Sequence, residues 1–161
     1  MLILRLLLLV LLAPFALLAR LLGVTRRDMI ALPDDHPEMA TAILEAQASL
    51  PEFRRLLRSP EPGMKYFAVK VRFPTAQGHE HCWVNELEMR ESGLVGKLGN
   101  HPDSLPDLQL GSTVEVAADA ITDWSYSKDG VYQGHFTTKV LMSHMSKRMR
   151  REVEQVYGWA A

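Results

Sequence analysis

The sequence predicts an α+β domain: two N-terminal helices on a small curved antiparallel sheet of five to six strands, a C-terminal helix, and a transmembrane helix ahead of them all. Three observations predict it. The first two dozen residues are almost entirely apolar, apolar residues then recur at helical spacing, and after Pro60–Gly63 the period drops to two. The chain has 161 residues, so the stretch beyond the N-terminal segment suffices for one core and not for two.

Leu2 to Val24 is interrupted only by Arg5 and Arg20. As a helix rising about 1.5 Å per residue it reaches roughly 34 Å, enough for a hydrocarbon core of about 30 Å. The two arginines sit near its ends, where they can snorkel to the headgroups. Pro14 is tolerable in a membrane helix. A cleavable signal peptide is the competing reading, but cutting after Ala19 places Leu17 at the position three before the cut, and cutting after Ala16 places Pro14 there. Retention is therefore expected. Arg20, Arg26 and Arg27 follow the segment, against Arg5 and the amino terminus before it. That balance turns the domain toward the cytoplasm, with the periplasm as the alternative. The expected localisation is the cell membrane, crossed once.

Residues 25–35 read as a polar connector. Asp35 and Glu38 have capping-box spacing, Pro37 suits a first helical turn, and Met39, Ala42, Ile43, Ala46 and Leu50 share a stripe. Pro51 is expected to end this helix, and Ser49 with Glu52 to cap a second one carrying Phe53, Leu56 and Leu57. Phe67, Val69, Val71 and Phe73 then alternate with Tyr66, Ala68, Lys70 and Arg72, which specifies a strand. Further strands are expected at about 80–89, 94–98 and 113–117, with a loop over 99–106. Asp129-Gly130 predicts a two-residue hairpin turn joining Ile121–Ser127 to a long strand, Val131–Leu141, on which Tyr132, Phe136 and Val140 share a face. From Ser143 the tail reads as one amphipathic helix with Met145, Met149, Val153 and Val156 on its stripe. The organisation is thus anchor 2–24, connector 25–35, α+β domain 36–142 and basic helical tail 143–161.

The formal charge is -1, so no global field points to nucleic acid, and none is expected as a partner. One cysteine, Cys82, excludes an internal disulfide framework and an all-cysteine zinc site. His79 and His81, two apart on a strand, share a face and form a candidate metal pair. Cys82 points the other way, so a third ligand would have to come from Glu80, His101 or His135. Asn100 and His101 in the irregular loop, together with Asp123 and His135, are candidates for a ligand or partner surface. Asp123 reads more readily as a group that satisfies backbone donors beside a core tryptophan, Trp124, than as a catalytic acid. Ser104, Ser112 and Cys82 lack the context of a nucleophile, and no catalytic or cofactor motif is present, so no cofactor is expected. Lys147, Arg148, Arg150 and Arg151 could contact lipid headgroups, or lie in solvent on a helix docked by its Met/Val stripe.

A family resemblance is carried by Glu80-His81-Cys82-Trp83-Val84, Gly93-Leu94-Val95-Gly96, Asn100-His101-Pro102, Leu110-Gly111 with Val114, and Ile121-Thr122-Asp123-Trp124. It continues through Asp129-Gly130, Gly134-His135-Phe136-Thr137 and Val140-Leu141, and Leu50-Pro51-Glu52-Phe53 matches its opening. In this order and spacing the chain resembles the bacterial domain of unknown function 2314 family over roughly residues 38–142. Lys139 stands where an arginine is expected, and His135-Phe136 where glycine followed by tyrosine is commoner. The resemblance implies a domain boundary and no activity.

Three functional readings are open. The first is a membrane-anchored, non-enzymatic binding or accessory domain with a protein or lipid headgroups as partner. The second is an immunity-type inhibitor that neutralises a toxin. The third is a histidine-based or metal-dependent hydrolase, which needs His79, His81, His101 and His135 to converge.

Overall fold

The computed structural model describes residues 32–91 and 93–160. The anchor expected at 2–24 and most of the connector lie outside the described residues. Among those described, no helix is long and apolar enough to cross a membrane. The α+β architecture is present, with three α-helices and one six-stranded antiparallel sheet among the described residues.

A single helix, α1 (Pro37–Arg58), replaces the two expected before the sheet. Its buried stripe of Met39, Ala42, Ala46, Leu50, Phe53 and Leu56 runs past Pro51 without a break. An interior proline costs about 3 kcal/mol. Burying Leu50, Phe53 and Leu56 contributes roughly 1.5–3 kcal/mol each, which outweighs it. Ser49 forms no cap, because its hydroxyl donates back to Glu45 O at 2.8 Å, and Glu52 is held by Arg55 instead. The N-cap is His36 rather than Asp35, and it makes no side-chain cap bond.

The strands are β1 (Met64–Thr75), β2 (Gly78–Arg90), β3 (Gly93–Leu98), β4 (Thr113–Val116), β5 (Ile121–Lys128) and β6 (Val131–Gly134), in the sheet order β4-β3-β2-β1-β5-β6. Register shifts at Tyr66 in β1 and Glu86 in β2, both at positive φ, interrupt the pairing. Bulges of this kind bend and twist a sheet. The β5–β6 hairpin turns on Asp129 and Gly130 at φ 52° and 87°, the expected two-residue geometry.

The long strand expected over Val131–Leu141 stops at Gly134. Gly134 and His135 take φ 78° and 54° in succession, which breaks the pleat, and α2 (Phe136–Ser143) follows. Residues 132, 136 and 140 are four apart, a spacing that keeps one face on a strand and also on a helix. The tail holds one helix, as expected, but it starts later than Ser143: α3 (Lys147–Val156), with Ser146 at the N-cap accepting from Met149 N.

The two faces of the sheet differ. On one, Val69, Val84, Trp124 and Tyr126 form the main core under α1. Trp124 stacks on Phe53 at 5.3 Å and donates Nε1–H to Ala46 O at 3.0 Å. On the other, Lys70 pairs across β1 with Trp83 and with Asp123. This polar face meets the C-terminal segment, where Met142, Met145, Val153 and Tyr157 form a second cluster with Tyr132 and Trp159. The segment is fastened to β6: Tyr132 N–H donates to Tyr157 O at 2.9 Å and Trp159 Nε1–H to Tyr132 O at 2.7 Å.

Candidate functional site

The polar face of β1, β2 and β5 gathers most of the chemistry. Asp123 is 0 % exposed and accepts four hydrogen bonds. Oδ1 receives Trp124 N–H at 2.8 Å and Phe136 N–H at 3.0 Å, and Oδ2 receives Thr137 N–H at 2.8 Å and Thr137 Oγ1–H at 2.6 Å. Because His135 does not cap α2 with its own side chain, Asp123 supplies the anion at that helix N-terminus from a neighbouring strand. Lys70 Nζ donates to Thr137 Oγ1 at 3.1 Å. Burial pushes the Lys70 ammonium down and the Asp123 carboxyl up, each opposed by the other's charge, and Asp123 further by its hydrogen bonds.

His135 is 4 % exposed and lies among aromatic rings: Tyr157 at 4.4 Å, Trp83 at 5.0 Å, Tyr132 at 5.6 Å and Trp159 at 5.7 Å. Nδ1 lies 3.3 Å from Thr138 Oγ1, while Nε2 has no polar partner among the described residues. Burial, with Lys70 and Lys139 nearby, drops its pKa to about 3. It is a neutral imidazole at any ordinary pH. Lys139, for its part, lies over the Trp159 ring at 5.2 Å.

His81 is tied on both sides. Nδ1 lies 3.1 Å from Thr122 Oγ1 and Nε2 lies 3.1 Å from Asp34 Oδ2, with Arg72 Nη1 3.9 Å from the same oxygen. An Asp–His–Thr row resembles a nucleophile with its base, but Thr122 is 1 % exposed and donates to Lys70 O at 3.3 Å, so substrate has no access to its hydroxyl. Burial lowers the His81 pKa against the pull of Asp34. His79 is exposed near the β1–β2 turn. No three His, Cys, Asp or Glu side chains gather at metal-binding spacing among the described residues.

The loop after β3 is pinned by β2. Glu80 accepts Asp103 N–H at 2.6 Å and Ser104 N–H at 2.7 Å, and Asn100 Oδ1 accepts Trp83 N–H at 2.8 Å. His101 is exposed at the start of that loop. Cys82 is buried, and its thiol is pushed up to about 11, which keeps it protonated and inert. An open groove of about 560 Å³ between α1 and α2 is lined by Glu38, Thr41, Ala42, Phe136, Lys139 and Val140 among others.

Of the four basic tail residues, Arg150 faces inward and donates to Met142 O and Ser143 O, closing the end of α2. Lys147, Arg148 and Arg151 are exposed, and Arg148 reaches Glu152 at 3.2 Å.

Asp123 and His135 are thus brought close, but through the backbone of α2 rather than as an acid–base pair. Asn100 and His101 belong to the pinned loop; His79 and His81 both lie on β2, His81 bonded to Thr122 and Asp34 and His79 exposed. Lys70, Thr137, Asp34 and Tyr157 carry this network without having stood out in the sequence. Lys70, a cation inside the most regular strand pattern, and Thr137, at the end of the Gly134-His135-Phe136-Thr137 stretch, gave the only signals.

The family described as "Uncharacterized protein conserved in bacteria (DUF2314)" matches residues 36–160, taking in the tail as well as the sheet. The chain is 29 % identical over 79 residues to a putative ankyrin repeat protein, NMB1133/NMB1171, of Neisseria meningitidis serogroup B. That match covers 49 % of this chain and spans only 31 % of the relative. It is 22 % identical over 111 residues to the uncharacterized protein YegJ of Escherichia coli, covering 68 % of this chain and 71 % of YegJ. No solved structure matches at significance. With 36–160 matched end to end, the chain belongs to the DUF2314 family of proteins conserved in bacteria.

Proposed function

We propose that this chain is a membrane-anchored, non-enzymatic binding or accessory domain. One observation carries the reading: apart from the exposed His79 and His101, the groups that could do chemistry are bonded to the fold itself or buried in it. Asp123 holds the start of α2, His81 is fixed between Thr122 and Asp34, Glu80 and Asn100 hold the 99–106 loop, and Cys82 is buried. A general base or nucleophile has to meet a substrate with its polar atoms free, whereas Asp123 and Cys82 are buried and the polar atoms of His81, Glu80 and Asn100 are engaged by the fold. The accessible remainder is surface, namely the α1–α2 groove and the outer side of α3. The match to a minority of a longer protein named for ankyrin repeats fits an accessory domain, since repeats of that kind present binding surfaces.

The membrane part of the proposal rests on the apolar run at 2–24. Fractionation tests it. The full chain should stay in the membrane pellet through high salt and alkaline carbonate, at its uncleaved length, and a chain lacking residues 2–24 should be soluble. A soluble or shortened full-length product would overturn the anchor.

A further inference from the structure

We infer that the outer crest of α3, formed by Lys147, Arg148 and Arg151, lies on an anionic bilayer surface; the inference rests on the anchored reading above. The helix has one committed inner side. Met149, Val153 and Tyr157 pack into the second cluster, and Arg150 turns back to the end of α2. At 100° per residue the opposite side carries Lys147, Arg151 and Gln155, with Arg148 beside them and 90 % exposed. Two acids flank the crest: Glu152 pairs with Arg148, and Glu154 is half-buried. The crest therefore carries net positive charge on a helix that is already docked and ordered, so no folding has to accompany adsorption.

The second observation is where this helix sits. The chain arriving from the N-terminal side is fastened to the corner between α2 and α3. His36 packs edge-on against His144 at 5.9 Å, and Glu38 Oε2 lies 3.1 Å from His144 Nε2. Asp34 is held by His81. His144 is three residues before Lys147. Only residues 25–33 separate the apolar run from Asp34, a span of at most about 35 Å when fully extended. A chain anchored through 2–24 thus tethers the α2–α3 corner within reach of the headgroups, whose field acts over a Debye length of about 8 Å. Phosphate-bearing headgroups are the partner chemistry that fits three accessible cations on a surface-parallel helix.

The test uses the full chain in lipid nanodiscs, with Gln155→Cys carrying a polarity-sensitive fluorophore; native Cys82 is buried and should not label. Discs of phosphatidylcholine alone are compared with discs that also contain phosphatidylglycerol. The expected result is a blue-shifted label only with phosphatidylglycerol, reversed by high salt. Lys147→Glu, Arg148→Glu and Arg151→Glu together should lower the docked-to-free ratio on the order of a hundredfold. A chain that inserts but gives the same spectrum in both lipids, or a triple variant that still shifts, overturns this inference alone. A chain that elutes apart from the discs overturns the anchored reading and this inference with it.

Discussion

Asp123 on β5 and Thr137 on α2 are joined twice, Oδ2 accepting both the backbone N–H at 2.8 Å and the hydroxyl at 2.6 Å. A helix with no local side-chain cap is thereby started by a strand fourteen positions earlier. Replacing Asp123 with Ala leaves the Phe136 and Thr137 amides without their acceptor and the buried Lys70 ammonium without the opposing charge of Asp123. Leaving buried donors and a buried charge unpaired costs about 3–5 kcal/mol. Asp123→Asn keeps one acceptor and should lose roughly half as much. Chemical denaturation followed by tryptophan fluorescence measures both, and a double-mutant cycle with Thr137→Val should give a coupling of about 1–3 kcal/mol.

Lys70 should behave differently. Burial disfavours its charge, and the attraction of Asp123 only partly offsets this. A buried ion pair often adds little net stability. Lys70→Met keeps the packed stem and removes the charge, and Asp123 retains its four hydrogen bonds. The loss should stay under about 1.5 kcal/mol by the same denaturation, well below that of Asp123→Ala. Equal losses would mean that the pair, rather than the helix cap, is what Asp123 contributes.

His135 makes stability fall in acid. Its pKa drops from 6.5 in the unfolded chain to about 3 in the fold. Above pH 6.5 neither state holds the proton; below it the unfolded chain takes one up that the folded chain refuses, so stability declines until pH reaches about 3. By pH 4 this group alone removes on the order of 3 kcal/mol. His135→Asn, which tolerates the left-handed backbone, should start less stable yet lose less between pH 6.5 and 4. Denaturation midpoints of the two proteins across that interval provide the comparison.

Gly134 sits at φ 78°, and a Cβ placed there would come within 2.1 Å of Trp124 O. Gly134→Ala therefore strains the backbone and forces β5 and β6 apart. A loss of about 3 kcal/mol is expected, with hydrogen exchange accelerating first at His135 N–H, which donates to Trp124 O. Alanine at Gly130, where nothing lies within 4 Å, should cost less, since only the positive φ opposes it.

Much of the sheet was legible because its signals are local: the alternation of β1, and Asp129-Gly130 at a hairpin. The two large departures share a cause. Pro51 breaks a helix only when tertiary packing does not outweigh it, and the burial of Leu50, Phe53 and Leu56 on the sheet is invisible in the sequence around Pro51. Tyr132, Phe136 and Val140 fit either period, and what makes Phe136 helical is Asp123, thirteen positions away. The site was legible in its residues and not in its partnerships. Asp123 and His135 stood out, but neither reaches solvent, and the bond of His81 to Asp34 spans 47 positions. Such pairings have no spacing rule to betray them.

The proposed membrane role turns on the domain standing at the cytoplasmic face with its basic corner toward the leaflet. A reporter active on only one side of the membrane, fused after Ala161, tests this most directly. Signal from a cytoplasm-restricted reporter, and silence from one that works only in the periplasm, is the expected result. The reverse pattern would contradict the orientation and remove the cytoplasmic leaflet as the surface that α3 meets.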